Sequence, residues 1–232
     1  MKKLPESFLK LADIIDSTGY KAYLIGGSSR DYLLDKEFHD IDIATSCPPD
    51  KLVELFPRGD TTFIKYGCLN LKDGEDKITI TTFRKESDYS DYRHPGKVDF
   101  CSDINQDFLR RDFTINAIYI TKEGKIIDLA NCVDDVRYYL IRTIGNPKKR
   151  LREDPLRILR AIRFSLVLDF EIEESLSYAI LQLGSLLNEI KPQKIDEEIL
   201  KMIRSGVNYQ NIKTELSKYN LLSGYDIKKF RG

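Results

Sequence analysis

Asp40 and Asp42 stand two residues apart in Asp40-Ile41-Asp42-Ile43-Ala44, where polar and apolar residues alternate. Alternation is the signature of a half-buried strand, and residues two apart on a strand share a face. Two carboxylates held that close repel unless cations join them. Mg²⁺ accepts carboxylates together with phosphate oxygens in octahedral geometry. Two such ions can activate an attacking hydroxyl and steady a leaving pyrophosphate. Surface strands often carry such a pair, so the spacing alone does not establish catalysis. Just upstream, Gly26-Gly27-Ser28-Ser29-Arg30-Asp31 falls at a predicted strand-to-helix turn. Glycines let backbone N–H groups approach a phosphate chain, and a helix N-terminus favours anions. A tight turn closed by an Arg–Asp pair accounts for the same residues without any ligand.

A second constellation lies at Glu153-Asp154-Pro155-Leu156-Arg157. Asp154 and Arg157 are three apart and would share a face of a helix. A carboxylate accepts from an exocyclic amine, and a guanidinium donates to a ring nitrogen or carbonyl. Cytosine and adenine both offer an amino group beside an acceptor nitrogen, whereas uracil and guanine reverse that pattern. The pair could therefore read C and A without a template strand, or it could be a plain i,i+3 salt bridge. Leu156, Leu159, Ile162 and Leu166 form the expected buried stripe, leaving Arg157 and Arg160 to face a site. Arg111-Asp112-Phe113-Thr114 reads on its own as a helix start capped by Asp112 or Thr114.

The elements that must position these residues follow from periodicity. A helix is expected from Pro5 to Ser17, with Leu4, Phe8, Leu11, Ala12 and Ile15 on one face and Gly19 ending it. Strands are expected at Tyr20–Ile25, Asp40–Ala44, Thr61–Leu71, Lys77–Phe83, Asn116–Ile120 and Lys125–Leu129. Helices fit Ser28–Leu34, the segment after Pro48-Pro49, and Asp103–Arg110. Glu86–Lys97, with Pro95-Gly96, reads as a loop. From Leu151 the pattern is wholly helical, and Gly145-Asn146-Pro147 marks a boundary near residues 144–149.

Composition sets outer limits. The 232 residues suffice for one or two units with a real core, at 41% hydrophobic and 32% charged. No apolar run approaches the ~18 residues of a membrane span, and the amphipathic start does not read as a signal peptide, so the expected location is the cytoplasm. Cys47, Cys68, Cys101 and Cys132 are widely spaced and His39 and His94 do not cluster, which argues against zinc and makes the cysteines core fillers. The net charge is zero but unevenly spread: Arg137–Arg163 holds nine Lys/Arg against two acids, and Phe164–Leu200 holds eight acids against two lysines. The basic stretch also carries an apolar helical stripe, as a phosphate-facing helix would.

Taken in order, the motifs resemble those of class II tRNA nucleotidyltransferases and their bacterial poly(A) polymerase relatives. The family pattern GGxxRD is Gly26–Asp31 here, and its DxD is Asp40–Asp42. TTFR follows as Thr81-Thr82-Phe83-Arg84, then a YxDxRxP loop at Tyr89–Pro95. RRDFTxNA is Arg110–Ala117 and EDPLRxLRAxRF is Glu153–Phe164, so that the blocks cover roughly residues 20 to 165. The resemblance implies that Asp40 and Asp42 bind two Mg²⁺ ions and that Gly26, Gly27 and Arg30 meet the triphosphate. It assigns Arg111, Asp112 and Asn116 to ribose and phosphate, and Glu153, Asp154, Arg157, Arg160 and Arg163 to the nucleotide. Arg84, Asp91 and Arg93 belong to a flexible loop that family members adding all of CCA keep.

The implied fold is an α/β head (residues 1–146) with a five-stranded mixed sheet of the polymerase-β nucleotidyltransferase type, followed by an all-α neck (147–232), with the nucleotide in the cleft between them. The implied partners are CTP, ATP and the tRNA 3′ end. Three departures stand out. A third acidic residue that relatives often carry on the strand leading into TTFR is Thr79 here. The usual GxxDL is replaced by Asn131-Cys132-Val133-Asp134-Asp135-Val136. The resemblance covers only the family's head and neck and not its body and tail domains, so a second subunit supplying RNA contacts is a further expectation. CCA addition is the leading reading. Poly(A) addition or transfer to another small RNA, and a non-catalytic RNA-binding remnant, are the alternatives.

Overall fold

Residues Glu6–Asp16 form helix α1, and the apolar face expected of it is the one that packs, with Phe8, Ala12 and Ile15 buried. Gly19, at φ +86°, supplies the left-handed conformation that turns the chain out of the helix. Strand β1 (Ala22–Ile25) runs directly into α2 (Gly26–Leu33), and β2 (Asp40–Thr45) returns beside β1. Helix α3 (Pro49–Leu55) begins with a proline in its first turn. Strands β3 (Cys68–Asp73), β4 (Asp76–Thr82), β5 (Arg84–Ser87) and β6 (Lys97–Phe100), helix α4 (Ile104–Arg110), strands β7 (Tyr119–Ile120) and β8 (Ile126–Ile127) and helix α5 (Cys132–Arg137) follow.

The computed structural model describes residues 3–87, 97–223, 225, 226 and 230. They divide into two compact units, one of residues 3–87 and 97–137 and a second from Tyr138 onward. The first unit is built on a six-stranded mixed sheet of order β3-β4-β2-β1-β7-β8. In this sheet only β2 and β4 pair in parallel; the other neighbours are antiparallel. The sheet has six strands where the family resemblance implied five; the strand read at Lys125–Leu129 is its edge, shortened to the two-residue β8. Ile41, Ile43, Leu24, Leu69, Ile78 and Ile80 are at most 1% exposed and form the core of this sheet. Tyr119 packs edge-on against Tyr23 and Phe83.

Three local expectations are corrected. The strand expected from Thr61 begins only at Cys68, because Ile64–Tyr66 forms a 3₁₀ turn closed by Gly67 in the left-handed region. The ends of the segment expected as a loop, Glu86–Lys97, are paired: β5 and β6 form a separate two-stranded ladder from Arg84↔Phe100 to Ser87↔Lys97. Asn116 ends a 3₁₀ turn (Thr114–Asn116) rather than opening a strand.

In the second unit, β9 (Leu140–Ile141) precedes helices α6 (Pro147–Glu153) and α7 (Leu156–Leu168). Strand β10 (Glu171–Ile172) is followed by α8 (Glu174–Leu183), a 3₁₀ segment (Gly184–Glu189), α9 (Pro192–Arg204) and α10 (Tyr209–Lys218). Helix α7 packs on α9 and α10, and α6 packs on α8. Ile158, Leu159, Ile162, Ile199, Met202 and Ile212 fill the space between them. The unit is not wholly helical, since β9 and β10 pair in parallel; that pairing also places the expected boundary at residues 144–149 inside this unit. Cys47 and Cys132 are buried, and Cys68 and Cys101 half-buried. Among the described residues, no helix is long and apolar enough to cross a membrane.

Candidate active site

The register of β2 decides where its aspartates point. Ile41 and Ile43 are buried on one face, so the pleat sends Asp40 and Asp42 to the other. Asp40 is exposed and lies opposite Lys77; Asp42 is half-buried between Ile25 of β1 and Thr79 of β4. The start of α2 closes over Asp42. Ser28 Oγ accepts from the Asp42 backbone N–H at 3.1 Å, and the Gly27 N–H bonds to the Asp42 carboxylate. Gly26 sits at φ +70°, and a Cβ there would lie 2.3 Å from Asp42 Oδ2. Glycine is thus required twice, by backbone conformation and by the carboxylate behind it.

Burial pushes the Asp42 carboxyl above its ordinary range, and the Asp40 charge adds to the rise. Arg111, the Gly27 N–H and Arg30 work against it. A divalent cation would offset both the cost of burial and the repulsion from Asp40. The donor set fits Mg²⁺, which typically takes one or two protein carboxylates and completes its shell with water and substrate phosphate. Thr79, where the resemblance led to the expectation of a third acid, offers only a hydroxyl, and it donates to Asn70 Oδ1 at 3.1 Å. Among the described residues, no group of three or more His, Cys, Asp or Glu side chains is placed to hold a metal.

Arg30, 7% exposed, is fixed on two sides. Its Nε and Nη2 donate to both oxygens of Asp31 at 2.9 and 3.0 Å, and its Nη1 donates to Asn116 Oδ1 at 2.7 Å. The expected Arg–Asp pair therefore exists, and Asn116 is brought to Arg30. Asp112 accepts from the Phe113 N–H at 2.8 Å. Thr114 donates to Asp135, so neither residue caps a helix in the way the isolated motif suggested. Arg111 is bound by a residue that sequence reasoning missed: Asp107, fully buried, takes Arg111 Nε and Nη2 at 3.0 and 2.8 Å. The signal was available, since Asp107 stands three and four residues before Arg110 and Arg111 at the end of a predicted helix. Arg84 holds Glu86 at 2.8 Å and also bonds the Tyr66 carbonyl. Asp91 and Arg93 lie outside the described residues.

The residues expected to read the base belong to the second unit. Asp154 is not on a helix with Arg157: it is the extended residue between α6 and α7, and its Oδ1 accepts from the Leu156 N–H at 3.0 Å. Pro155 enforces this break. Arg157, expected to face a site, is buried. Its Nη1 donates to the Arg150 carbonyl at 2.8 Å and to Glu153 Oε2 at 3.1 Å. Leu166, expected in the buried stripe, is half-buried. Glu153 also pairs with Arg150. Arg160 lies 5.6 Å from the Phe164 ring centroid. Arg163 donates to the buried Glu198 at 2.7 Å, tying α7 to α9.

The chain matches the family model described as the poly A polymerase head domain over residues 22–142, just over half its length. It is 43% identical over 203 residues to a CCA-adding enzyme of Lactobacillus helveticus, covering 86% of this chain and 51% of that protein. A CCA-adding enzyme of Enterococcus faecalis is 40% identical over 224 residues, 93% of this chain and 55% of the relative. Among solved structures, the Bacillus stearothermophilus CCA-adding enzyme in complex with CTP aligns with a TM-score of 0.78 at 34% identity, covering 86% of this chain and 49% of that one. A tRNA nucleotidyltransferase complexed with a primer tRNA and an incoming ATP analog aligns with a TM-score of 0.74 at 31% identity, over 90% of this chain and 60% of that one. The chain spans about half the length of the curated relatives it matches. With the DxD strand, the Gly26–Gly27 turn and the mixed sheet in place, the chain belongs to the poly(A) polymerase head-domain family of nucleotidyltransferases.

Proposed function

We propose that the chain carries the catalytic head and base-reading helices of a template-independent nucleotidyltransferase that adds C and A, from CTP and ATP, to the 3′ end of tRNA. The observation that carries this reading is the clasp of the α2 start on Asp42, with the Asp40 carboxylate beside it and the Arg111 charge near enough to oppose the rise in its pKa. The relatives' names, CCA-adding enzyme, and the solved complexes with CTP and with primer tRNA support the substrate assignment.

In this reading the RNA 3′-hydroxyl attacks the α-phosphate and pyrophosphate leaves. Asp40 and Asp42 would hold two Mg²⁺ ions, which when bound lower the pKa of the attacking hydroxyl and neutralise charge on the departing phosphates. Arg30 and Arg111 add fixed positive charge for the triphosphate. Both guanidiniums are already pinned by carboxylates, so little reorganisation accompanies charge development. Positioning does most of the work, since no separate general base is needed. Asp154 and Arg157 read the base edge, with Glu153 orienting the Arg157 guanidinium.

The test is Mg²⁺-dependent incorporation of labelled CMP and AMP into a tRNA lacking its CCA end, in the wild type and in Asp42→Ala. Incorporation that vanishes in the variant and on chelation supports the reading. Equal incorporation in the variant removes the metal assignment. The family model's description favours one second reading, a poly(A) polymerase, which would show as A addition without a stop.

A further inference from the structure

Asp107 is a buried carboxylate with three hydrogen-bonding side-chain partners. Its side chain is 0% exposed. Oδ1 accepts from Arg110 Nε at 2.8 Å and pairs with Arg110 Nη2 at 2.6 Å. Oδ2 accepts from Arg111 Nε and Nη2 at 3.0 and 2.8 Å and from Tyr119 Oη at 2.8 Å. Tyr119 Oη also accepts from Arg111 Nε at 3.0 Å, closing a three-membered ring of hydrogen bonds. Each carboxylate oxygen thus serves one guanidinium, and each guanidinium presents its Nε–Nη2 edge.

Two features argue that this arrangement does more than hold α4 to the sheet. First, one buried carboxylate is matched with two guanidiniums. Burying ions costs heavily, and packed apolar residues of the same volume stabilise a fold equally well. Second, strand register brings the cluster toward Asp42: β1 pairs with β7 at Leu24↔Ile120 and with β2 at Ile25↔Asp42, so Tyr119, next to Ile120, stands across β1 from Asp42 and holds Arg111 through its hydroxyl. The cluster therefore sets a cation beside the candidate metal carboxylates with its plane fixed by α4 and Tyr119. An arginine aimed at a phosphate needs that constraint, because a flexible guanidinium loses rotamer freedom when the substrate binds.

We propose that Asp107 is a positioning residue for the triphosphate of the incoming nucleotide, acting through Arg111 with Tyr119 as the brace. This inference rests on the nucleotidyltransferase reading above. The other arm, through Arg110, reaches Glu86 at 3.7 Å, and Glu86 is held by Arg84 at 2.7 Å. The same carboxylate thereby connects the Arg111 site to strand β5.

The experiment measures CTP KM and kcat for CMP incorporation, with melting curves, in the wild type, Asp107→Asn, Arg111→Gln and the double variant. Asp107→Asn is expected to raise KM about tenfold or more while kcat changes by less than about threefold. Because Asp107 acts through Arg111, the double variant is expected to be no worse than Arg111→Gln alone. A purely structural role would instead add its full loss in the Arg111→Gln background, and that result, or an unchanged KM in Asp107→Asn, overturns the proposal. If Asp107→Asn does not fold, Tyr119→Phe decides: it keeps every charge and is expected to raise KM about threefold, and an unchanged KM overturns the proposal. A folded wild type that neither binds CTP nor incorporates CMP sinks the underlying functional reading and this inference with it. Wild-type activity lost in Asp42→Ala but untouched in Asp107→Asn sinks the inference alone.

Discussion

Replacing Gly26 by alanine separates a backbone penalty from a catalytic one. The new methyl carbon would stand 2.3 Å from Asp42 Oδ2, against the ~3.3 Å that carbon and oxygen tolerate, so the carboxylate must retreat by roughly 1 Å. A misplacement of that size costs about a hundredfold in rate, close to 3 kcal/mol of barrier. The left-handed backbone at φ +70° adds about 1–2 kcal/mol of lost stability for any residue with a Cβ. Gly74 is the internal control: it sits at φ +60°, and a Cβ there would meet nothing within 4 Å, so Gly74→Ala carries the backbone penalty without the collision. Both variants are expected to melt a few degrees below the wild type. Only Gly26→Ala is expected to lose CMP incorporation, by about two orders of magnitude, in a steady-state assay with saturating Mg²⁺. Wild-type kcat in Gly26→Ala would refute the reasoning that Asp42 is held at a working position by the α2 start.

Asp42→Ala is expected to abolish incorporation with an unchanged circular dichroism spectrum, because its side chain is half-buried and lies off the buried face formed by Ile41 and Ile43. Arg157→Ala should relax the choice of C and A over U and G more than it weakens triphosphate binding, read from competition between the four nucleotides; unchanged selectivity would remove the base-reading role. Asp107 has its carboxyl pulled down to about 2 despite burial, by Arg111 and Arg110. A depressed folded pKa gives stability that is present above the unfolded value near 4 and lost as pH falls toward 2, worth about 2 kcal/mol. Urea titrations at pH 7 and pH 3 should show about half of that loss in the wild type and a flatter dependence in Asp107→Asn. Glu198→Ala strands Arg163 without its carboxylate and should cost about 3 kcal/mol or more in the second unit, measured by denaturant unfolding.

Short-range pattern made much of this site legible. The alternation around Asp40 and Asp42 fixed the strand and the shared face, since the pleat leaves no other option once Ile41 and Ile43 are buried. The Gly26–Gly27 turn was equally visible, but its collision with Asp42 was not, because that contact depends on the Ile25↔Asp42 register between two strands. The Asp154–Arg157 spacing was read as one helical face, and Pro155 broke the helix between them. Arg163 was grouped with the nucleotide ligands by its motif, whereas its carboxylate partner, Glu198, lies 35 positions away on another helix. The paired ends of β5 and β6 carried no clear period over four residues each, so the ladder was hidden within a polar stretch. Asp107 is legible only in part: its spacing to Arg110 and Arg111 is in the sequence, whereas its burial depends on Tyr119, a partner outside the helix.

The central claim is tested most directly by supplying each labelled nucleotide in turn, with Mg²⁺, to tRNA transcripts lacking CCA, lacking only the terminal A, or complete. The expected result is addition of two C residues and then one A to the first, a single A to the second, and nothing to the third. Incorporation of U or G at comparable rates, or none from any nucleotide by the folded chain, would contradict it.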